Sequence, residues 1–268
     1  MPFNKQKKLG QVFLKDQAII KKIIQAGKIK KKNQILEIGP GKGILTQALI
    51  ETGADVIAVE KDEELVKFLE NLFRGEQNLK IIHADIRNFL ISNSKFQILH
   101  SNYKVIGNIP YYLTSHLIQL LLESKNQPKD IILMTQKEVA QRIISQPPQM
   151  NLLAVSVQFY AKPEIICYVP STAFTPIPKV DSAIIELTPY PVITKSEITR
   201  KSFFKVVKAG FKQPRKLLLN NLSANLKIEK ETIKKAFKKL NISLQTRAQN
   251  LSIKQWISLA LLLIKNNV

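Results

Sequence analysis

The sequence contains little of several features that mark particular classes of protein. It has one cysteine, Cys167, in 268 residues, which excludes an internal disulfide framework and a cysteine-based metal site. Its longest apolar runs, 117–122 and 257–264, are far shorter than the roughly 20 residues of a membrane-spanning helix. The first residues, Met-Pro-Phe-Asn-Lys-Gln-Lys-Lys, lack the apolar core of a signal peptide. We therefore expect a soluble, cytoplasmic protein that binds neither a membrane nor a metal.

Acidic residues are scarce as well. The chain has 20 Asp and Glu against 41 Lys and Arg, which gives a formal net charge of +21. Ten basic residues and one acid lie in 1–34, and seventeen basic residues and three acids lie in 191–268, whereas 35–190 is nearly neutral. Lysine that only filled a solvated surface would not be concentrated at the two ends. The distribution favours a polyanionic partner, and nucleic acid is the leading candidate.

Between the basic segments, short apolar strands alternate with amphipathic helices. Strands are predicted at 34–38, 56–59, 79–82, 103–106 and 130–134, and helices at 44–52, 62–73, 113–123 and 137–144. This alternation is typical of an α/β fold with a doubly wound, Rossmann-like and mostly parallel sheet that is covered on both faces. Ligands of such sheets bind at the carboxyl ends of the strands.

The alternation stops after a predicted helix at 152–160. Two strand-like runs, 164–169 and 182–187, then follow without the helical spacing of the earlier units, which predicts an antiparallel edge of the sheet. Beyond the prolines at 189 and 191, helices are predicted at about 200–210, 214–222, 229–239 and 252–263. We predict a sheet domain at 1–190, in which 1–34 is a basic extension and helix, and a small, basic, all-helical domain at 191–268.

Three glycines follow the first predicted strand at alternate positions, in Glu37-Ile-Gly-Pro-Gly-Lys-Gly43. Glycine adopts positive φ and lets the backbone approach a ligand closely, and the helix that follows offers unpaired N–H groups. The spacing G-x-G-x-G differs from the dinucleotide fingerprint, so the turn alone leaves its ligand open. Acids at the next two strand ends narrow the choice, because Glu60 suits ribose hydroxyls and Asp85 suits an exocyclic amino group.

The fourth strand ends in Asn108-Ile-Pro-Tyr111. Together with the glycine turn, this tetrapeptide resembles the S-adenosylmethionine-dependent adenine-N6 methyltransferases that act on ribosomal RNA. Further matches are Lys8-Leu-Gly-Gln11 with Phe13-Leu14, Gln136-Lys-Glu-Val139, Ala173-Phe-Thr-Pro-Ile-Pro-Lys-Val-Asp-Ser182 and Arg247-Ala-Gln-Asn-Leu-Ser252. From about residue 7 to residue 260 the chain resembles the ribosomal RNA adenine N6,N6-dimethyltransferases. That family dimethylates two adjacent adenosines near the 3′ end of small-subunit ribosomal RNA.

The resemblance implies a catalytic domain that binds S-adenosylmethionine and releases S-adenosylhomocysteine. It places the cofactor over the glycine turn, with Glu60 on the ribose, Asp85 and Ile86 at the adenine, and residues 11–14 closing over it. The implied cofactor-binding residues are Gln11, Val12, Leu14, Gly39, Gly41, Gly43, Glu60, Lys61, Asp85, Ile86 and Asn108. Val12 stands where the family usually has Asn, which removes a side chain expected at the methionine end of the cofactor.

The implied catalytic residues are Asn108, Ile109, Pro110, Tyr111 and Phe174. An exocyclic amine conjugated to a purine is a poor nucleophile. If the Asn108 side-chain oxygen and the Ile109 carbonyl accept its two N–H bonds, the nitrogen becomes tetrahedral and its lone pair is directed at the sulfonium methyl. Pro110 would stiffen the loop, and Tyr111 and Phe174 would stack on the two faces of the base.

The basic ends would hold phosphates while the target adenosines are splayed out of the RNA. The candidate phosphate contacts are Lys7, Lys8, Lys179, Lys205, Lys208, Lys212, Arg215 and Lys216. The implied partners are small-subunit ribosomal RNA and the immature small ribosomal subunit. Nothing in the sequence indicates an oligomer, so we expect a monomer.

Other interpretations stay open at this point. A large-subunit ribosomal RNA adenine methyltransferase of macrolide resistance shares Asn-Ile-Pro-Tyr, although the Phe-Thr-Pro-Ile-Pro-Lys-Val-Asp loop favours the small-subunit enzyme. A non-catalytic RNA- or DNA-binding assembly or transcription factor on the same fold is suggested by Val12 and opposed by Asn108 and Tyr111. A nicotinamide oxidoreductase is disfavoured by the glycine spacing and the basic ends.

Overall fold

A computed structural model describes residues 12–91, 99, 102–109, 114–124, 126–190 and 200–265. The strands are β1 Phe13–Leu14, β2 Gln34–Ile38, β3 Asp55–Glu60, β4 Leu79–His83, β5 Lys104–Asn108, β6 Asp130–Gln136, β7 Ala161–Val169, β8 Phe174–Thr175 and β9 Ser182–Pro189. The helices are α1 Gln17–Ala26, α2 Ile44–Glu51, α3 Glu63–Leu72, α4 Ile86–Ile91, α5 Thr114–Glu123, α6 Lys137–Ile144, α7 Leu152–Gln158, α8 Arg200–Gly210, α9 Leu218–Leu226, α10 Lys230–Lys239 and α11 Ile253–Lys265. Within these described ranges, none of the helices is both long and apolar enough to cross a membrane.

Seven strands form one sheet in the order β4-β3-β2-β5-β6-β9-β7. The first five are parallel to one another, whereas β9 runs antiparallel to both β6 and β7. The predicted doubly wound sheet with an antiparallel edge is therefore confirmed. The strand order changes direction between β2 and β5, and the crevice outside the carboxyl ends at such a point is where α/β sheets bind ligands.

The centre of the sheet is apolar because helices cover both of its faces. Ile35 and Leu36 of β2 and Val105 of β5 have no exposed surface. Gly107 lets these two strands approach closely, since a Cβ at that position would lie 2.8 Å from the Ile38 carbonyl oxygen. The close approach brings the ends of β2 and β5 side by side.

A second, two-stranded sheet joins segments that are far apart in the sequence. β1 pairs antiparallel with β8, so that Phe13 lies opposite Thr175 and Leu14 lies opposite Phe174. Strands of two residues carry no recognisable periodicity, and the sequence therefore did not predict this pairing. It connects the segment after the basic N-terminal stretch to the Phe-Thr-Pro-Ile-Pro loop.

The chain divides into two compact units, and the second includes the segment 141–160, which the predicted division at residue 190 placed in the first. The sheet unit is Met1–Ala140 with Ala161–Pro189, and the helical unit is Gln141–Tyr160 with Tyr190–Val268. The segment Gln141–Tyr160 belongs to the helical unit because Met150 and Val155 are buried in the same apolar cluster as Phe203. A single linear boundary misses this, since the chain leaves the sheet after β6 and returns to it at β7.

The helical unit has its own core, in which Phe203, Phe237 and Trp256 have no exposed surface. The helix predicted at 214–222 begins only at Leu218. The preceding loop is held by Asn221, whose side-chain amide donates to the carbonyls of Gly210 and Gln213, both at 2.9 Å. A buried side chain thus fixes the loop that joins α8 to α9.

Candidate active site

A cavity of about 700 Å³ opens at the carboxyl ends of β2, β3 and β5. Its lining includes the glycine turn, Glu60 from β3, Asn108 from β5, and Phe13 and Thr175 from the two-stranded sheet. Residues from distant stretches of the sequence therefore meet where a doubly wound sheet binds its ligand. The volume is within the usual range for a small-molecule or cofactor site.

The glycine turn forms one wall of this cavity. Its three glycines take left-handed φ values, 66° at Gly39, 57° at Gly41 and 80° at Gly43, which residues with a side chain rarely adopt. At Gly41 a Cβ would also lie 3.0 Å from the ring of Phe13. Gly43 begins α2 without a side-chain cap, so the first N–H groups of this helix are suited to binding an anionic group.

Glu60 is held in place by backbone N–H groups. Its Oε2 accepts from the Gly41 N–H at 3.2 Å, and its Oε1 accepts from the N–H groups of Lys61 and Asp62 at 2.8 and 3.0 Å. The residue is 7% exposed and lines the cavity. These contacts orient a carboxylate whose remaining acceptor capacity suits the hydroxyls of a ribose.

Glu37 is a cavity residue that sequence reasoning did not single out. It is 1% exposed and lines the cavity, and neither of its carboxylate oxygens has a hydrogen-bond partner among the described residues. Burial, partly opposed by the nearby Thr46 hydroxyl and reinforced by the charge of Glu60, raises the pKa of the Glu37 carboxyl to about 8. The available signal was an acid between Leu36 and Ile38 in an otherwise apolar strand, since such an acid needs a partner.

Asn108 is oriented by a contact with the segment that precedes β1. Its Nδ2 donates to the Val12 carbonyl at 3.2 Å, and no described residue donates to the oxygen of the amide, which leaves that oxygen as an acceptor for a ligand. Ile109 is 1% exposed, and its N–H donates to the Met134 carbonyl at 3.4 Å. Both residues line the cavity. Val12 thus acts on Asn108 through its backbone, which the identity of its side chain does not reveal.

The structure does not bring Asp85, the second predicted acid, to the cavity. Arg87 donates from Nε and Nη2 to the Asp85 carboxylate at 3.0 and 2.6 Å, and the Lys61 ammonium lies 3.2 Å from it. The Arg87 guanidinium holds the pKa of the Asp85 carboxyl well below its usual range. Asp85, Lys61 and Ile86 are all outside the set of described residues that line the cavity.

The structure corrects the prediction that Phe174 stacks on the target base. Its side chain has no exposed surface and belongs to the apolar core of the sheet unit. Pairing of Leu14 with Phe174 turns the ring into that core, so it cannot stack on a base in this structure. Thr175, the next residue, lines the cavity instead. The predicted residues Gln11, Pro110 and Tyr111 lie outside the described part of the chain.

Comparison with known proteins assigns the chain to a family. It matches the family described as ribosomal RNA adenine dimethylase over residues 2–265. The chain belongs to this family. The ribosomal RNA small subunit methyltransferase A of Dehalococcoides mccartyi is 38% identical over 263 residues, which are 97% of this chain and 89% of the relative.

Two solved structures are similar as well. A dimethyladenosine transferase from Plasmodium falciparum has a TM-score of 0.78 and 27% identity, over 96% of this chain and 98% of that one. The 23S rRNA methyltransferase ErmE has a TM-score of 0.73 and 24% identity, over 92% and 98% of the two chains, and shares the fold. The family inferred from the sequence motifs is therefore confirmed.

Members of the ribosomal RNA adenine dimethylase family are S-adenosylmethionine-dependent methyltransferases, and the cavity fits that cofactor. Glu60 would accept hydrogen bonds from the ribose. The uncapped start of α2 would face the carboxylate of the methionine part, and the unpaired carboxyl of Glu37 would face its ammonium group. When bound, the cofactor supplies an electrophilic methyl group on a sulfonium.

The predicted RNA-binding residues that the structure describes are all exposed. They are Lys179 in the sheet unit, and Lys205, Lys208, Lys212, Arg215 and Lys216 in the helical unit. Lys205 and Lys208 lie one turn apart on α8, and the other three lie in the loop that Asn221 holds. Lys7 and Lys8 lie outside the described residues. The helical unit therefore presents a basic surface on an ordered loop.

Proposed function

We propose that this protein dimethylates the N6 amino groups of two adjacent adenosines in the 3′-terminal hairpin of small-subunit ribosomal RNA. Its substrate would be the immature small subunit, and it would act as a monomer in the cytoplasm. The observation that carries the proposal is the Asn108 amide in the lining of the cavity, with its Nδ2 bound to the Val12 carbonyl. The family and the small-subunit relatives support the same substrate.

Acceptor geometry explains how these residues would promote the reaction. The amide of Asn108 is turned so that its oxygen can accept one N–H of the adenine amine, and the Ile109 carbonyl can accept the other. The N–H of Ile109 donates to the Met134 carbonyl at 3.4 Å, which holds the backbone between Asn108 and Ile109. Two such acceptors would draw the nitrogen away from conjugation with the purine, and positioning would replace a strong general base.

Val12 does not argue against activity. The residue holds Asn108 with its backbone carbonyl, and any amino acid at this position offers that carbonyl. The loss of an Asn side chain therefore leaves the orientation of the catalytic amide intact. This observation favours a catalytic protein over a non-catalytic assembly factor on the same fold.

The basic residues would supply affinity for the RNA. Splaying an adenosine out of a stacked helix costs a few kcal/mol, and phosphate contacts can offset this cost. Lys212, Arg215 and Lys216 are suited to such contacts because they are exposed on a loop that a buried amide holds.

The test supplies the purified protein with S-adenosylmethionine and precursor small subunits that lack the modification. Primer extension should stop at two adjacent adenosines of the 3′-terminal hairpin, and naked large-subunit RNA should remain unmodified. A protein with Asn108→Ala serves as the inactive reference. Absence of the stop at the hairpin would overturn the proposal, and a stop in large-subunit RNA would support the macrolide-resistance activity instead.

A further inference from the structure

A second cleft lies at the opposite end of the parallel strands. It has a volume of about 580 Å³ and is lined by Lys28, Lys30, Asn33, Asn102, Lys104, Lys129 and Asp130. Lys104 and Asn108 are the first and last residues of β5. Because a strand rises about 3.3 Å per residue, the cleft opens about 13 Å from the Asn108 amide, at the amino ends of the parallel strands.

The one acid in this lining is neutralised from within the protein. The Lys104 ammonium lies 2.9 Å from the Asp130 carboxylate and donates to the Gly27 carbonyl at 2.7 Å. Lys104 is 7% exposed, so this buried pair forms the floor of the cleft. The charges of Lys28, Lys30 and Lys129 are then left without compensation from the lining.

Three lysines of the lining, Lys28, Lys30 and Lys129, are exposed and are called the rim lysines. No described carboxylate lies within ion-pair distance of any of their ammonium groups. Glu164 and Glu186, the acids whose pKa values respond to Lys28, are nearby. Glu164 is already paired with Lys162, and burial raises the pKa of the Glu186 carboxyl, so Glu186 is the one nearby acid left to oppose the three lysines among the described residues. The cleft therefore carries an excess of positive charge at its rim.

The backbone at each of these lysines is fixed. The N–H of Lys28 donates to the Gln25 carbonyl at 3.0 Å, and the N–H of Lys129 donates to the Tyr103 carbonyl at 2.7 Å. The N–H of Lys30 donates to the Asn33 Oδ1 at 2.9 Å. Asn33 consequently presents its amide N–H groups as further donors, so the rim is ordered and rich in donors.

From this arrangement we infer that the cleft binds backbone phosphates of the ribosomal RNA, as a second contact remote from the adenosine that is methylated. Ammonium and amide donors without acceptors are suited to phosphate oxygens. The identity of the RNA rests on the proposed function. A ribosomal subunit is far larger than the enzyme, and it can therefore contact the protein at both ends of the parallel strands.

The test compares two triple variants with the same change in charge. Lys28→Gln, Lys30→Gln and Lys129→Gln remove the rim lysines but keep their stems. Lys21→Gln, Lys22→Gln and Lys80→Gln remove three exposed lysines elsewhere in the sheet unit and serve as the matched control. Filter binding to precursor small subunits at several salt concentrations measures affinity and its salt dependence.

The rim variant should bind the subunits about tenfold more weakly or worse, and its slope of log affinity against log salt should be shallower by about 2 to 3. The control should change affinity about twofold or less. Cofactor binding and the turnover at saturating subunits should be unchanged in both, since the cleft is remote from the cavity. Unchanged affinity and slope in the rim variant would overturn the inference.

Two further outcomes separate this inference from the proposed function. Subunit binding that depends on the rim lysines, without methyl transfer, would overturn the proposed function alone. If the wild-type protein binds no subunits, both fail. Calorimetry with inorganic phosphate completes the test: phosphate binding that is lost in the rim variant, with subunit binding intact, would assign the cleft to a free anion and overturn the RNA contact.

Discussion

The two ends of the parallel strands hold their buried ionisable side chains in opposite ways. At the amino end, Lys104 is matched by Asp130 and by the Gly27 carbonyl. At the carboxyl end, Glu37 is 1% exposed, its oxygens have no partner among the described residues, and its raised pKa favours the neutral carboxyl. Removing one member of a buried ion pair strands the other charge and costs stability, whereas a buried carboxyl without a partner costs stability when it ionises. The contrast indicates that substitutions at the two ends will separate stability from activity.

The largest expected effect is at the amino end. Replacing Lys104 by Met leaves the Asp130 carboxylate without its partner and should lower the free energy of unfolding by about 3–5 kcal/mol. Chemical denaturation monitored by circular dichroism measures this loss. Adding Asp130→Asn removes the stranded charge and should recover part of it. A loss of less than about 1 kcal/mol is typical of a surface ion pair, and it would contradict the claim that Lys104 and Asp130 form a buried pair.

The next effect is at the carboxyl end, on the reaction. Asn108→Ala removes an acceptor fixed in advance, and kcat should fall by about 10²–10³-fold. The melting temperature should change little, because the fold loses only the hydrogen bond from the Asn108 amide to the Val12 carbonyl. Asn71→Ala, at an exposed amide on α3, is the matched control and should retain full turnover. An Asn108→Ala protein with normal kcat would remove the residue from the catalytic set.

Most of the fold was predictable from the sequence because its signals are local. The five parallel strands follow from short apolar runs between helical periods, and the positions of Gly39, Glu60 and Asn108 follow from where those strands end. The Phe13 pairing with Thr175 was not predictable, since two-residue strands have no period. The membership of 141–160 in the helical unit was hidden as well, because it depends on contacts with residues far along the chain.

The candidate site shows the same limit at single residues. Asp85 was predicted to face the adenine because it follows a strand, but its carboxylate accepts two hydrogen bonds from the Arg87 side chain. Phe174 was predicted to stack on the base, and its pairing with Leu14 buries it. Residue type and spacing predict where a helix or strand ends. The direction of a side chain depends on its tertiary contacts, which the local sequence does not show.

A pH effect is expected from Glu37. The pKa of its carboxyl is about 8 in the folded protein against an ordinary value of 4.5. Between these values the unfolded chain releases this proton and the folded chain keeps it, so stability falls as pH rises from about 4.5 to about 8. Glu37→Gln removes this penalty and should gain about 2–4 kcal/mol at pH 8 relative to pH 5.

Thermal or chemical unfolding of both proteins without cofactor, at pH 5 and pH 8, measures this change. Glu51→Gln, at an exposed carboxylate on α2 that is bonded to Gln47, is the control and should show no such pH-dependent gain. A Glu37→Gln protein whose stability relative to wild type is the same at both pH values would mean that Glu37 is ionised and already partnered in the folded chain.

The smallest effect concerns Glu60, which lies in the same cavity as Glu37 but has three backbone donors. In Glu60→Gln the amide keeps an oxygen for the N–H groups of Lys61 and Asp62, while its NH₂ faces the Gly41 N–H. The Kd for S-adenosylmethionine, measured by calorimetry, should rise about tenfold through loss of a charge-assisted bond to the ribose. Stability should fall slightly, because the Gly41 N–H loses its acceptor. Opposite signs of the stability change in Glu37→Gln and Glu60→Gln at pH 8 would show that the Glu60 carboxylate stabilises the fold while the Glu37 carboxyl costs it stability, and equal signs would contradict that difference.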